Sequence, residues 1–432
     1  MQIQTDLGFD IPVAANRLIN LQPIHVSKST FQAGLAERIH RWFRLTPSFG
    51  PDLVHEMLGK MNAKKGQTIL DPFSGAGTTA IEAQLEGFNC VAFEVNPLLH
   101  FVGSTSLDWT FDADLVQNAL DEVLRETTEL VAKVEPDQLA DQGYFVPPIH
   151  NVHRWWRADV LRDLCVLVHC IEKVSDKKVR EFLRLSLAGV LVPDLTNVTL
   201  GKLQLHFIDR SEHVINTLKS YRTHTERMIE DLATVRQQTG LGSSIVLHQD
   251  STELKGLKLA TKIDHVITSP PYPNRYSYVW NTRPHLYMLR FMTEGKAAAD
   301  LDKKTIGGTW GTATSILQKG ITEPLNAAVD KAVSPMVAEI RKDDNLMANY
   351  CMHYFNKLTQ HIIELDKITA PKVKLAYVVG NSRLKGVYVE TDSVLANILE
   401  ALDKPYDVSE IHRFRRRNSG VDLFESIVYA SR

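Results

Sequence analysis

Ser269-Pro270-Pro271-Tyr272 follows the short apolar run His265-Val266-Ile267. Its two prolines fix the backbone and remove two amide donors, so the Ser269 hydroxyl and nearby carbonyls form an acceptor-rich nook beside the face of Tyr272. Such a nook suits an exocyclic NH2 on a flat ring: Ser269 and the Pro270 carbonyl accept its two hydrogens while Tyr272 stacks on the ring. An amine conjugated to a nucleobase is a poor nucleophile because its lone pair is delocalised. Acceptors holding both protons favour a more tetrahedral nitrogen with its lone pair aimed at an electrophile, which is catalysis by positioning and electrostatics.

The second stretch is Asp71-Pro72-Phe73-Ser74-Gly75-Ala76-Gly77-Thr78-Thr79, which follows Gln67-Thr68-Ile69-Leu70. Gly75 and Gly77 permit a tight turn with close backbone approach, and the next helix offers its positive end to a ligand. No lysine follows the second glycine, so the phosphate loop of nucleotide hydrolases does not fit. Gly75-x-Gly77-x-x-Ala80 loosely matches a dinucleotide fingerprint. Glu94, at the end of the following run Cys90-Val91-Ala92-Phe93, can accept hydrogen bonds from both hydroxyls of a ribose. A dinucleotide or an adenosyl cofactor satisfies that geometry equally. Asp71 favours a sulfonium cofactor, because a carboxylate at a strand tip can hold a methionine amino group and repels a pyrophosphate.

The elements that must position these residues alternate. Buried strands are expected at 67–70, 90–93, 244–247, 265–267 and 374–379, with two closing strands near 406–413 and 424–429. Helices are expected at 79–86, from Asp114 to Val134, as one block over 158–192, at 212–238, at 345–366 and at 393–401. This order predicts an α/β fold with a doubly wound parallel sheet. The cofactor half would occupy 1–110, a helical insertion 111–240, and the catalytic half 241–432, interrupted by irregular material at about 281–342.

The chain has 432 residues, 49 Lys+Arg against 51 Asp+Glu, and 44% hydrophobic content. That composition excludes a disordered or collagen-like chain. The near-zero net charge argues against wholesale coating of nucleic acid or anionic membrane and leaves a local basic face open. No apolar run reaches membrane-spanning length and no signal peptide is evident, so a cytoplasmic setting without membrane attachment is expected. The four cysteines are too scattered for a disulfide framework, and none sits in a Pro-Cys loop as a thiolate nucleophile for ring-carbon methylation would. His150 and His153 stand three apart without a carboxylate or cysteine pattern, so no metal is expected.

Taken together, Asp71–Thr79 and Thr268-Ser269-Pro270-Pro271-Tyr272 resemble the cofactor and catalytic motifs of the DNA amino-methyltransferases. The resemblance covers the sheet-forming parts, about half the chain. It implies transfer of a methyl group from S-adenosylmethionine to N4 of cytosine or N6 of adenine, on a seven-stranded Rossmann-like sheet with one reversed strand. Thr46-Pro47-Ser48-Phe49-Gly50-Pro51 resembles the segment that closes over the cofactor. Glu94-Val95-Asn96-Pro97 resembles the ribose-binding motif, and Asp250 falls where the adenine-binding acid does. By this resemblance Phe49, Asp71, Phe73, Gly75, Gly77, Thr78, Glu94, Asn96 and Asp250 would hold the cofactor. Ser269, Pro270, Pro271 and Tyr272 would hold the base. Serine before Pro-Pro-Tyr is typical of the cytosine-N4 enzymes, whereas the adenine enzymes mostly carry Asp or Asn there.

A paired amine is out of reach of such a nook, so the base must leave the stack of double-stranded DNA. Candidate DNA contacts are Arg154, Arg157, Asn274, Arg275, Tyr276 and Arg283, besides the basic runs 177–180 and 413–417; Tyr276 and Tyr278 stand where a base could stack, whereas Trp155 and Trp156 read as core. Each basic run also fits a solvated helix face or strand end. The resemblance further implies a restriction–modification or related defence setting, with a cognate endonuclease or defence-system protein as partner. Adenine-N6 methylation is the alternative reaction, followed by RNA methylation and by a non-catalytic DNA-binding module.

Overall fold

The computed structural model describes residues 17–24, 34–46, 48–200, 204–308, 312–418 and 422–432. Twelve strands are formed: β1 (Leu18–Asn20), β2 (Thr68–Asp71), β3 (Asn89–Phe93), β4 (Val198–Leu200), β5 (Leu205–Phe207), β6 (Ser244–Leu247), β7 (Ile263–Thr268), β8 (Thr369–Gly380), β9 (Ser382–Leu384), β10 (Val387–Val389), β11 (Asp407–Asn418) and β12 (Asp422–Ser431). Eight of them make one sheet in the order β1-β11-β12-β8-β7-β2-β3-β6. Strands β6, β3, β2, β7 and β8 run parallel, and β12 is antiparallel to both of its neighbours. The expected seven strands with one reversal are therefore present. An eighth, β1, adds three residues in parallel to β11; so short and partly exposed a strand leaves no apolar alternation in the sequence.

Side chains alternate across the sheet and bury two cores. Ile69, Ala92, Ile267, Ala376 and Ile427 pack on one face, beneath the helices Thr78–Leu85, Pro97–Ser106 and Ala158–Glu172. Leu70, Phe93, Val266, Leu375 and Val428 pack on the other, beneath Ala327–Asp343, Asn345–Leu365 and Thr391–Ala401. Among the described residues, no helix is long and apolar enough to cross a membrane.

Two expectations change. The block at 158–192 is two helices, Ala158–Glu172 and Lys177–Leu191; Asp176 caps the second by accepting from the Val179 N–H at 3.0 Å. The apolar pattern runs through the break and conceals it. The stretch at 281–342 is helical rather than irregular, with Tyr278–Met288, Ala297–Lys304, Thr312–Leu317 and Ala327–Asp343. Pro284 and Pro335 lie inside two of these helices, and proline there reads as a breaker unless packing compensates.

The chain winds from β2 outward through β3 to β6, then returns to β7 on the other side of β2. The crevice of such a sheet opens where the winding reverses, at the carboxyl ends of β2 and β7. Asp71 ends β2 and Thr268 ends β7.

Candidate active site

Both motifs face that crevice. The Thr268 hydroxyl donates to Asp71 Oδ1 at 2.7 Å, and the Phe73 N–H donates to the same oxygen at 3.1 Å. The loop then turns tightly, with Gly77 N–H bonding to the Ser74 carbonyl at 2.9 Å. Gly75 (φ 54°) and Gly77 (φ 93°) both adopt left-handed backbone, and a Cβ on Gly75 would stand 3.0 Å from Leu45 Cδ2. These two positions therefore need glycine. The helix after the loop is anchored by Glu82, whose two oxygens accept from His40 and His55 Nε2, each at 2.5 Å. This fastens the segment carrying Leu45 and Phe49 over the glycine turn.

The crevice holds about 1180 Å³ of atom-free space, part of it open to solvent. Asp71, Phe73, Gly75, Thr78, Glu94, Asn96, Asp250 and Phe49 line it together with Ser269, Pro271 and Tyr272. Gly77 and Pro270 are buried and do not line it, so the acceptor wall is formed by the residues around Pro270. The Ser269 side chain lies beside the Tyr272 phenol, whose pKa burial raises. Pro47 lies outside the described residues.

Charge at the cofactor end is poised for a cation. Burial pushes the Asp71 carboxyl up to about 6, against the hydrogen bonds that it accepts. Burial likewise lifts Glu94 to about 7, although its oxygens accept from the Gly75 N–H at 2.9 Å and the Asn96 N–H at 2.8 Å. A positively charged ligand would return both groups to the ionised form, whereas a pyrophosphate would not. The Ser74 hydroxyl is buried, has no hydrogen-bond partner among the described residues, and belongs to a residue lining the same wall. Asp250 accepts from the Thr252 N–H and hydroxyl at 2.8 and 2.7 Å and still lines the cavity. Asn96 acts structurally as well, accepting from the Leu98 N–H at 3.0 Å to cap the helix Pro97–Ser106.

Residues 25–100 match the N6/N4 methyltransferase family, described as DNA methylase. The type II methyltransferase M.BsoBI of Geobacillus stearothermophilus is 26% identical over 441 residues, covering 91% of this chain and 84% of its own. The chain is similar to the DNA amino-methyltransferases. Members of this family use S-adenosylmethionine as methyl donor, and the buried acids and glycine turn fit that sulfonium cofactor. M.MvaI of Kocuria varians is 20% identical over 399 residues (88% of this chain, 84% of its own). M.AvaI of Nostoc sp. is 23% identical over 408 residues (86% and 80%). The rRNA methyltransferase aviRa of Streptomyces viridochromogenes overlays at a TM-score of only 0.30 with 11% identity, covering 94% of this chain and 96% of its own.

The expected DNA contacts separate into two groups. Arg154 and Arg275 are exposed, the first with its guanidinium 3.9 Å from the Phe207 ring centroid, the second presented by a left-handed backbone (φ 61°). The others are engaged within the protein. Arg157 pairs with Asp159 at 2.7 Å and donates to the His213 carbonyl at 2.6 Å. Arg283 stacks between Trp280 and Trp155, 3.0 and 5.0 Å from their ring centroids, and burial lowers its pKa to about 10. Tyr276 is buried, its phenol donating to the Thr46 carbonyl, and the Asn274 side chain accepts from the Tyr276 N–H at 3.1 Å. Tyr276 is thus not placed to stack on a base; Tyr278, 4.8 Å from it, lines the cavity instead. In the basic runs, Lys178 pairs with Asp108 at 2.9 Å and Arg413 with Asp392 at 2.9 Å, and the side chains of Arg416 and Arg417 lie outside the described residues. Sequence reasoning missed Ser74, Lys304 and Glu425 as lining residues, had Tyr278 where a base could stack, and took Arg415 for part of a phosphate-binding run.

Proposed function

We propose that this protein methylates the N4 amine of cytosine at a specific sequence in double-stranded DNA, with the base flipped into the crevice. One observation supports the reading above the others: the acid-bearing glycine turn and the Ser-Pro-Pro-Tyr turn stand on adjacent strands and line a single cavity. Bound there, S-adenosylmethionine supplies an electrophilic methyl group on sulfur. Asp71 would hold the amino group of its methionine part, Glu94 its ribose hydroxyls and Asp250 its adenine. Phe49 and Phe73 would bracket it, with Gly75, Gly77 and Thr78 shaping the turn.

Ser269 Oγ and a neighbouring carbonyl accept the two N4 protons and pull the nitrogen toward tetrahedral geometry. Its lone pair would then face the methyl group, which the sulfur would give up while keeping the electron pair of that bond, and one proton of the methylated nitrogen would pass to solvent. Tyr272 holds the ring, and the fixed backbone of Pro270-Pro271 keeps the acceptors aimed, so the rate gain is one of orientation and electrostatics. Serine ahead of Pro-Pro-Tyr supports cytosine over adenine as the target. Arg275, exposed three residues past Tyr272, and Arg154, exposed on the helix Val152–Trp155, suit phosphate contacts that steady distorted DNA. Segments 111–240 and 281–342 flank the site and are the candidates for reading the target sequence. A restriction–modification setting with a cognate endonuclease, in the cytoplasm, accords with the type II relatives.

The test is to incubate the purified protein with S-adenosylmethionine and unmethylated genomic DNA, digest to nucleosides and apply mass spectrometry. N4-methyldeoxycytidine is expected. N6-methyldeoxyadenosine would move the target to adenine, and an unmodified digest would refute the enzymatic reading.

A further inference from the structure

Beyond Tyr272 the cavity ends on Arg415 of β11 and Glu425 of β12, which form an ion pair. Their presence there depends on one extra residue. Arg413 stands opposite Ser426 and Arg415 opposite Glu425, so Phe414 is a bulge in β11. In an unbroken strand residues 413 and 415 would share a face, and the bulge turns Arg415 to the other one. The side-chain partners agree. Arg413 meets Glu390 and Asp392 beneath the helix Thr391–Ala401, where the Ser426 hydroxyl also donates to Asp392 Oδ2 at 2.7 Å. Phe414, Ile427 and Tyr429 belong to the opposite core, on the side where Arg415 and Glu425 face the cavity.

Arg415 is held rather than solvated. Glu425 is 7% exposed, and the buried Arg415 Nε–H has no hydrogen-bond partner among the described residues. Gly380, opposite Glu425 on β8, seats the Tyr272 ring so closely that a Cβ would fall 2.5 Å from Tyr272 Cδ2. A stacking ring, an acceptor nook and a forked donor therefore border one space.

Resting on the methyltransferase reading above, we propose that Arg415, oriented by Glu425, donates to N3 and O2 of the flipped cytosine and so selects cytosine against adenine. The edge of cytosine runs from the N4 donor to two acceptors, N3 and O2. The edge of adenine runs from the N6 donor to one acceptor, N1, and then to C2–H. A planar guanidinium satisfies two adjacent acceptors at once. Adenine leaves one of its N–H groups unpaired in a buried site, and discrimination by an unpaired polar group is strong.

The test compares ordinary DNA with the same DNA copied using 2-thiodeoxycytidine triphosphate, in which the O2 acceptor becomes a weak one. The wild-type protein is assayed beside Arg415→Met/Glu425→Gln, which removes both charges, and Arg415→Lys, which keeps the charge and loses the fork. The wild type should slow by about tenfold in kcat/KM on thio-substituted DNA. Both variants should be at least about tenfold slower on ordinary DNA and within about twofold on the exchange, with S-adenosylmethionine affinity unchanged. Wild type indifferent to sulfur, or variants as sensitive as wild type, overturns the role of Arg415. A wild-type protein that methylates no DNA overturns the methyltransferase reading instead, and one that methylates adenine overturns the cytosine selectivity.

Discussion

Replacing Asp71 by asparagine should stabilise the cofactor-free protein at neutral pH while weakening cofactor binding. The carboxyl titrates near 3.8 when unfolded and is lifted to about 6 when buried in the fold. Between those values the folded state retains the proton and the unfolded state releases it. Wild-type stability at this site therefore falls as pH rises from 4 to 7 and levels off above. About two units at roughly 1.4 kcal/mol each gives a loss of about 3 kcal/mol. Asparagine keeps a carbonyl oxygen for the Thr268 hydroxyl and the Phe73 N–H, and it has no ionisation to suppress. The advantage of the variant over wild type should thus grow by about 3 kcal/mol between pH 4 and pH 7. Urea denaturation followed by tryptophan fluorescence measures this; Glu94, whose pKa the Asp71 charge helps to raise, shifts the difference in the same direction. Calorimetry at pH 8 should show S-adenosylmethionine affinity reduced at least about tenfold through loss of a charge-assisted contact. A stability difference that stays flat with pH, or a variant that binds cofactor normally, would refute the reasoning.

Wild-type affinity for S-adenosylmethionine should rise with pH through the interval from about 6 to about 7, where Asp71 and Glu94 ionise, and calorimetry at steps from pH 5.5 to 8 checks the direction. Tyr272→Ala and Ser269→Ala should lower methyl transfer by about 100-fold or more, with cofactor affinity kept within about twofold, as filter-binding methylation assays and calorimetry would show. Gly380→Ala should drive the Tyr272 ring from its seat and lower kcat by at least about tenfold, again without weakening the cofactor. Arg283→Met should cost about 1–2 kcal/mol of stability through loss of its stacking between two tryptophans, and leave the salt dependence of DNA binding unaltered in fluorescence anisotropy.

What could be read from the sequence was what local backbone chemistry dictates. The glycine turn after β2 and the proline turn after β7 are written in consecutive residues, and strand–helix alternation then supplied the sheet that sets them side by side. What escaped reading depends on partners remote in the chain. Arg157 and Arg283 carry the same charge as Arg154, and only the fold shows that carbonyls and indoles occupy the first two. Tyr276 sits at the expected loop position, yet the carbonyl of Thr46 holds it, 230 residues away. The helices around Pro284 and Pro335 were obscured because packing outweighs a residue that breaks isolated helices. Arg415 was hidden among like charges because a bulge declares itself only when β12 is laid against β11.

Strands β2 and β7 touch, yet the residues bonded at their tips, Asp71 and Thr268, are separated by 197 positions. The two walls of the crevice come from opposite ends of that detour, and the crevice is complete only when both are in place. Contacts this distant in sequence assemble slowly. Competence should therefore arrive late and all at once, and a chain severed within the detour, at the exposed turn around Gly240, would still hold both faces in register if its two fragments associate.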